Sequence, residues 1–324
     1  MVSLRVTSRR RAGIGVAIGL GAAAILAAAP GALPQTRTLQ RMELPCEAEA
    51  GLITECVRPS ETDPAIRRFD EPSYILASAR TGPDAQLMLF MTGTGGEPPG
   101  PRAFLAAAAN AGYRVISLAY NDRPAVVAYC PRNPDPSCSE NFRRMRLYGD
   151  RTLGDGAIDN TPPESIVNRL VKLVQYLDRR HPDGGWAGYL DNGAPNWRRI
   201  VVCGQSQGAG MAAFIAKEHE VARVILFSSP WDFINTGGER KLASWLAAPS
   251  KTPPERWFGG YHARETMAGL MAQSYPALKI PQAHIRIFDL DLPPASQPRG
   301  NNSFHGQGIH NPAYSQDWAF FLRG

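Results

Sequence analysis

Ile200-Val201-Val202-Cys203-Gly204-Gln205-Ser206-Gln207-Gly208 joins two different kinds of chain. The first four residues are apolar and three of them are β-branched, which suits a strand buried in a sheet. Ala209 to Glu220 is rich in small residues and reads as a helix able to lie close on that sheet. Between them stands G-x-S-x-G. Glycines on both sides of the serine let the strand turn into the helix where any Cβ would clash, and the hydroxyl is left standing at the sheet edge. That geometry suits a nucleophile, and Ser206 is expected to be one.

The same alternation extends in both directions. Upstream, Tyr74 to Ala79, Gln86 to Met91 and Tyr113 to Tyr120 read as strands, the second a continuous apolar run suited to burial on both faces. Phe104 to Ala111 reads as a helix between the second and third. Thr161-Pro162-Pro163-Glu164 has the form of a capping box. It opens a helix whose Ile166, Leu170, Leu173, Val174 and Leu177 make one apolar stripe. Downstream, Ala222 to Phe227 and His284 to Phe288 read as strands and Ser315 to Leu322 as a closing helix. Buried strands alternating with amphipathic helices predict an α/β fold, with a mainly parallel central sheet covered on both faces. Residues 33–324 are expected to be a single domain. Its cap region, at about 233–282, contains a short helix over Arg264 to Gln273. The segment from Asn121 to Asn160 lacks strong periodicity and is expected to be a functional loop.

The formal charge is +6, from 35 basic and 29 acidic residues. Arg5, Arg9, Arg10 and Arg11 contribute four of these six charges, and no acid lies among residues 1–32, so +2 remains for the rest. A nucleic-acid footprint is not indicated. The basic stretch precedes an uncharged Ala/Gly-rich run from Ala12 to Ala29 and then Pro30, the layout of an export signal over residues 1–32. Ser8-Arg9-Arg10 leaves the general and twin-arginine routes both open, and an uncleaved signal anchor is the alternative. Periplasmic or extracellular residence is expected, with no stable membrane span after signal removal. In an oxidising compartment Cys46 with Cys56, and Cys130 with Cys138, can close locally, which leaves Cys203 as a small buried core residue.

A serine hydroxyl is a poor nucleophile at neutral pH. It needs a histidine to take its proton and a carboxylate to hold that imidazole in one tautomer. Loops at the carboxyl ends of later strands are the natural sources. His305 is the preferred base, because Gly306 frees the backbone that aims it, and His310 is the alternative. His181, His219 and His262 are placed poorly. For the acid, Asp289 ends the last predicted strand, Asp232 follows the strand ending at Phe227, and Asp291 is a third option. Oxyanion donors are expected from the backbone N–H of Gln207 and from Thr94 or Gly95 in Thr92-Gly93-Thr94-Gly95-Gly96. That glycine-rich turn lacks the Lys-Ser/Thr of a P-loop, and the dinucleotide fingerprint fails as well. Metal-ligand spacing is lacking around His305 and His310, and no cofactor is called for.

Together these residues resemble the α/β-hydrolase superfamily. Phe90-Met91-Thr92-Gly93-Thr94-Gly95-Gly96 and Gly204-Gln205-Ser206-Gln207-Gly208-Ala209-Gly210 look more narrowly like a bacterial group of poorly characterised secreted serine hydrolase-like proteins. The resemblance implies a three-layer α/β-hydrolase sandwich with a cap inserted after the strand that follows the nucleophile helix. It also implies esterase- or lipase-like cleavage of an ester or related acyl bond through an acyl-serine, in the chain order Ser206, Asp289, His305, with Thr94 and Gln207 at the oxyanion. Superfamily members place the acid after either of two late strands, so Asp232 stays open. A small-molecule or lipid-like acyl substrate is expected. Acyl transfer or peptide cleavage would use the same triad, and a non-catalytic binding protein on this fold is the alternative of another class. Trp231, Phe233, Trp245, Trp257, Phe258 and Tyr261 are either an apolar acyl pocket or core. Arg143, Arg144 and Arg146 either meet an anionic substrate or form a solvated basic face.

Overall fold

Strand residues here sort by parity onto two faces of one sheet. Leu87, Leu89 and Met91 join one buried cluster with Ile200, Val202, Val224 and Leu226, while Met88, Phe90, Val201, Cys203, Ile225 and Phe227 join the other. Such alternation follows from the two-residue repeat of a strand, and each large side chain buried this way contributes about 1.5–3 kcal/mol. The structure, a computed structural model, describes residues 46–153, 158–292 and 302–323. The expected export signal at 1–32 lies outside the described residues.

Eight strands make the central sheet: β1 (Leu52–Val57), β2 (Ser73–Ser78), β3 (Leu87–Met91), β4 (Arg114–Leu118), β5 (Ile200–Gln205), β6 (Arg223–Phe227), β7 (Trp257–His262) and β8 (Ile285–Phe288). Their spatial order is β1-β2-β4-β3-β5-β6-β7-β8. β2 runs antiparallel to both neighbours and every other pairing is parallel. Helices α1 (Arg102–Asn110), α2 (Cys138–Tyr148), α3 (Ile166–Arg180), α4 (Gln207–Glu218), α5 (Ala268–Ala277) and α6 (Ser315–Arg323) accompany the sheet. α3, α4 and α5 bury residues in the first cluster and α1 and α6 in the second, so the sheet is the middle of three layers. The mainly parallel, three-layer architecture is the expected one.

Three local expectations change. β1 lies in a stretch without strand periodicity and is fixed to its surroundings by the Cys46–Cys56 disulfide, with Cα atoms 5.7 Å apart. α3 is capped by Ser165, whose Oγ accepts from the Asn168 N–H at 3.1 Å. Thr161-Pro162-Pro163-Glu164 instead forms a preceding 3-10 turn, because Glu164 is drawn inward to pair with buried Arg169 and to accept the Arg67 and Arg68 N–H groups.

The third change is the largest. The region expected as a cap at 233–282 is divided, since Trp257–His262 is the seventh strand of the sheet, buried at every position. Gly259 and Gly260 interrupt its side-chain pattern for a steric reason: a methyl group at Gly259 would lie 2.7 Å from the Tyr275 ring, and one at Gly260 2.6 Å from the Phe288 ring. Trp257, Phe258 and Tyr261 are therefore core residues. Phe233–Thr236 and Glu239–Leu242 form a hairpin outside the sheet, turning through Gly237 and Gly238 at positive φ.

Candidate active site

Ser206 sits between β5 and α4 at φ 54° and ψ −121°, a backbone conformation costing about 1–3 kcal/mol in a residue with a Cβ. Its own N–H donates to the Phe227 carbonyl at 2.9 Å, which ties the turn to the end of β6. A methyl group at Gly204 would collide with the backbone of Gly208, and one at Gly208 with the Met91 carbonyl. Both glycines are thus required by close approach of backbone, as the pentapeptide predicts.

The glycine turn after β3 crosses directly over this serine. A methyl group at Gly93 would lie 3.0 Å from Ser206 Cβ and would collide with Gln205 Oε1. Residues following β4 hold that turn from the far side: Tyr120 donates its hydroxyl to the Thr92 carbonyl at 2.7 Å, and Asp122 Oδ2 accepts the Gly95 N–H at 2.6 Å. Burial pushes the Asp122 carboxyl above its ordinary pKa, opposed by the Gly95 N–H and by the charges of Arg123 and Arg146. Gly95, the alternative to Thr94 as the upstream oxyanion donor, is committed to Asp122. The N–H groups of Thr94 and Gln207 donate to no acceptor among the described residues.

His305 stands in the segment before a short helical turn, Gln307–His310. Its Nδ1 is 2.7 Å from Oε2 of Glu265, with the imidazole 21% exposed and the carboxylate only 1%. The other oxygen, Oε1, accepts the Ser228 hydroxyl at 2.7 Å and the His262 N–H at 2.8 Å. The buried carboxylate is therefore satisfied by three donors, one of which is the imidazole. Gln205, beside the serine, lies near the turn that carries His305: a methyl group at Gly306 would lie 3.7 Å from its Nε2, while its Oε1 faces Gly93.

The partner of His305 is thus none of the three expected aspartates. Asp289 is exposed, and what it contributes is its backbone carbonyl, accepting from Arg264 at 2.9 Å. Asp291 pairs with the same arginine at 2.7 Å, at the surface. The chain after β8 leans on the 262–265 segment through main-chain groups, with Leu290 O also 2.8 Å from His262 Nε2. Asp232 is buried in a bidentate pair with Arg143, at 2.7 and 2.5 Å, and accepts from Trp245 Nε1 at 3.0 Å. It fastens α2 to the segment after β6. His310 is exposed at the end of its turn, with its ring against Gly306.

Glu265 escaped the sequence reading because β7 did. Once Trp257-Phe258-Gly259-Gly260-Tyr261-His262 is taken as a strand, the first carboxylate beyond it is Glu265. The helix expected from Arg264 begins only at Ala268, which leaves Glu265 in the turn between. Arg143 and Arg146 are buried, which overturns the solvated basic face among the two readings of this stretch, while Arg144 is half-buried against Glu218. Cys130 and Cys138 form the second disulfide, with Cα atoms 5.5 Å apart. Cys203 is a buried free thiol whose pKa burial raises, so it is a core residue. Among the described residues there is no group of three or more His, Cys, Asp or Glu placed to hold a metal ion.

No family model and no curated protein matches the chain. Solved structures do. Dienelactone hydrolase from Anabaena variabilis is 16% identical with a TM-score of 0.43, the alignment covering 84% of this chain and 98% of that one. An esterase of the bacterial hormone-sensitive lipase family is 16% identical with a TM-score of 0.43, over 86% of this chain and 84% of that one. S-formylglutathione hydrolase from Staphylococcus aureus is 10% identical with a TM-score of 0.44, over 84% and 97%. With its eight-stranded sheet in the order β1-β2-β4-β3-β5-β6-β7-β8 and a strained serine between the fifth strand and a helix, this chain has the α/β-hydrolase fold.

Proposed function

We propose that this protein is a serine hydrolase that cleaves an ester or related acyl bond through an acyl-serine, with Ser206, His305 and Glu265 as its triad. The observation that carries the reading is the bond between His305 Nδ1 and buried Glu265, at the sheet edge where Ser206 is held in a strained turn. A carboxylate on Nδ1 keeps the proton there and leaves Nε2 as the base. Ser206 Oγ attacks the acyl carbon as Nε2 takes its proton, and the imidazolium returns that proton to the departing alkoxide. A water molecule, deprotonated by the same nitrogen, then releases the acid. Negative charge developing on the carbonyl oxygen is stabilised by the uncommitted N–H groups of Thr94 and Gln207, fixed before the reaction begins. Export to an oxidising compartment is part of the proposal, supported by the two disulfides.

A fluorophosphonate probe should label the wild-type chain on the peptide containing Ser206, and Ser206→Ala should abolish both labelling and hydrolysis of a p-nitrophenyl ester. Full ester hydrolysis by Ser206→Ala would overturn the proposal.

A further inference from the structure

Behind the serine turn lies a set of buried donors that this chemistry does not use. Arg146 is fully buried, and only its Nη2 is bonded, to the Pro124 carbonyl at 2.9 Å. Among the described residues its Nε and Nη1 have no hydrogen-bond partner, and neither does Nη1 of Arg143. Gln207 Nε2 is also buried without a partner among the described residues. Its Oε1 accepts the Val126 N–H at 3.2 Å, so the amide is oriented with the NH2 group as the unpaired end.

Three contacts, joined by short sequence spacings, tie these side chains into a ring. Arg143 and Arg146 are three residues apart and share a face of α2. Arg143 packs so closely on Gly210 that a methyl group there would collide with its guanidinium, and Gly210 is three residues beyond Gln207 on α4. Gln207 bonds Val126, and Pro124, two residues earlier, bonds Arg146. Each of Arg143, Arg146 and Gln207 retains at least one side-chain N–H with no partner among the described residues.

Among the described residues the charges around this set do not balance. Asp232 neutralises Arg143 in a bidentate pair. Among the described residues no carboxylate pairs with Arg146, and Asp122, the acid nearest to it in electrostatic effect, is bonded to Gly95 and lies 3.6 Å from Arg123. A buried guanidinium with unpaired donors is costly unless a counter-charge meets it. We propose that the ring formed by Arg143, Arg146 and Gln207 binds one small monovalent anion of the carboxylate or halide kind. One excess positive charge among the described residues calls for one negative charge, and forked N–H groups with an amide NH2 suit such an ion. The anion is either free in solution or the carboxylate of a substrate. Only the second source rests on the hydrolase reading.

The full chain is to be unfolded thermally at constant ionic strength while gluconate is replaced stepwise by chloride or formate. A saturable rise in Tm is expected for the wild type and not for Arg146→Met. Should the variant not fold, wild-type crystals soaked in bromide should show an anomalous peak bounded by Arg143 Nη1, Arg146 Nη1 and Gln207 Nε2. If a substrate supplies the anion, hemisuccinate esters should be preferred over acetate esters, formate should compete with them, and Arg146→Met should lose the preference by about tenfold. A wild type with no saturable response to either anion, no bromide peak and no preference for the charged ester would overturn the proposal, leaving water as the ring's occupant.

Discussion

The serine turn and the histidine-carboxylate pair meet at one sheet edge but are held there by different physics. Ser206 is positioned by two flanking glycines that admit close backbone from Met91 and from within the turn, and by one hydrogen bond to Phe227 at the end of β6. His305 and Glu265 are 40 residues apart and depend on side chains and main chain from β6, β7 and the segment after β8. The first arrangement is signalled by a pentapeptide, although other strands pack on it. The second is a property of the fold, and it appears only when the strands are in the right order.

That contrast can be broken at its local end most severely. Gly208→Ala puts a methyl group into the Met91 carbonyl, where backbone meets backbone and no side chain can yield. We expect a loss of more than about 4 kcal/mol, observed as failure to recover folded protein. A soluble Gly208→Ala variant with wild-type Tm would show that the turn is not under this constraint.

At the non-local end, two buried carboxylates should separate by what they support. Asp232→Asn leaves the Arg143 guanidinium without its counter-charge and should cost about 3–5 kcal/mol in denaturant unfolding. The fraction that remains folded should keep its rate of ester hydrolysis. A stable Asp232→Asn protein with no activity would reverse the assignment.

A smaller effect sharpens the same distinction. Ser228→Ala removes one of three donors to Glu265 and leaves the His262 N–H in place. A stability loss of about 1 kcal/mol is expected, with kcat lowered up to about tenfold and KM unchanged. A change confined to KM would mean that Ser228 meets substrate rather than orienting the acid.

Much of the architecture was legible in the chain because it is written in local pattern. The apolar runs at Leu87–Met91 and Ile200–Gln205, the stripe of α3 and the serine pentapeptide each carry their own periodicity or sterics. The proposed site residues Ser206, Gln207, Thr94 and His305 come from such signals. Glu265 does not, because the strand before it contains two adjacent glycines chosen by the rings of Tyr275 and Phe288 from other elements. Asp289 looked better placed on sequence alone, since it follows a strand with clear periodicity. That strand is the sheet edge, and the chain leaving it turns its carboxylates to solvent. Arg143 and Arg146 misled in the same way, as their burial is imposed by Asp232, Gly210 and Pro124 from outside α2.

The central claim is that Glu265, and not Asp289, orients His305, and steady-state kinetics of Glu265→Gln beside Asp289→Asn tests it most directly. The account predicts that Glu265→Gln keeps its fold and loses about 10³- to 10⁴-fold in kcat, while Asp289→Asn stays within about threefold of wild type. A Glu265→Gln enzyme with wild-type kcat, or an Asp289→Asn enzyme that is inactive though folded, would contradict it.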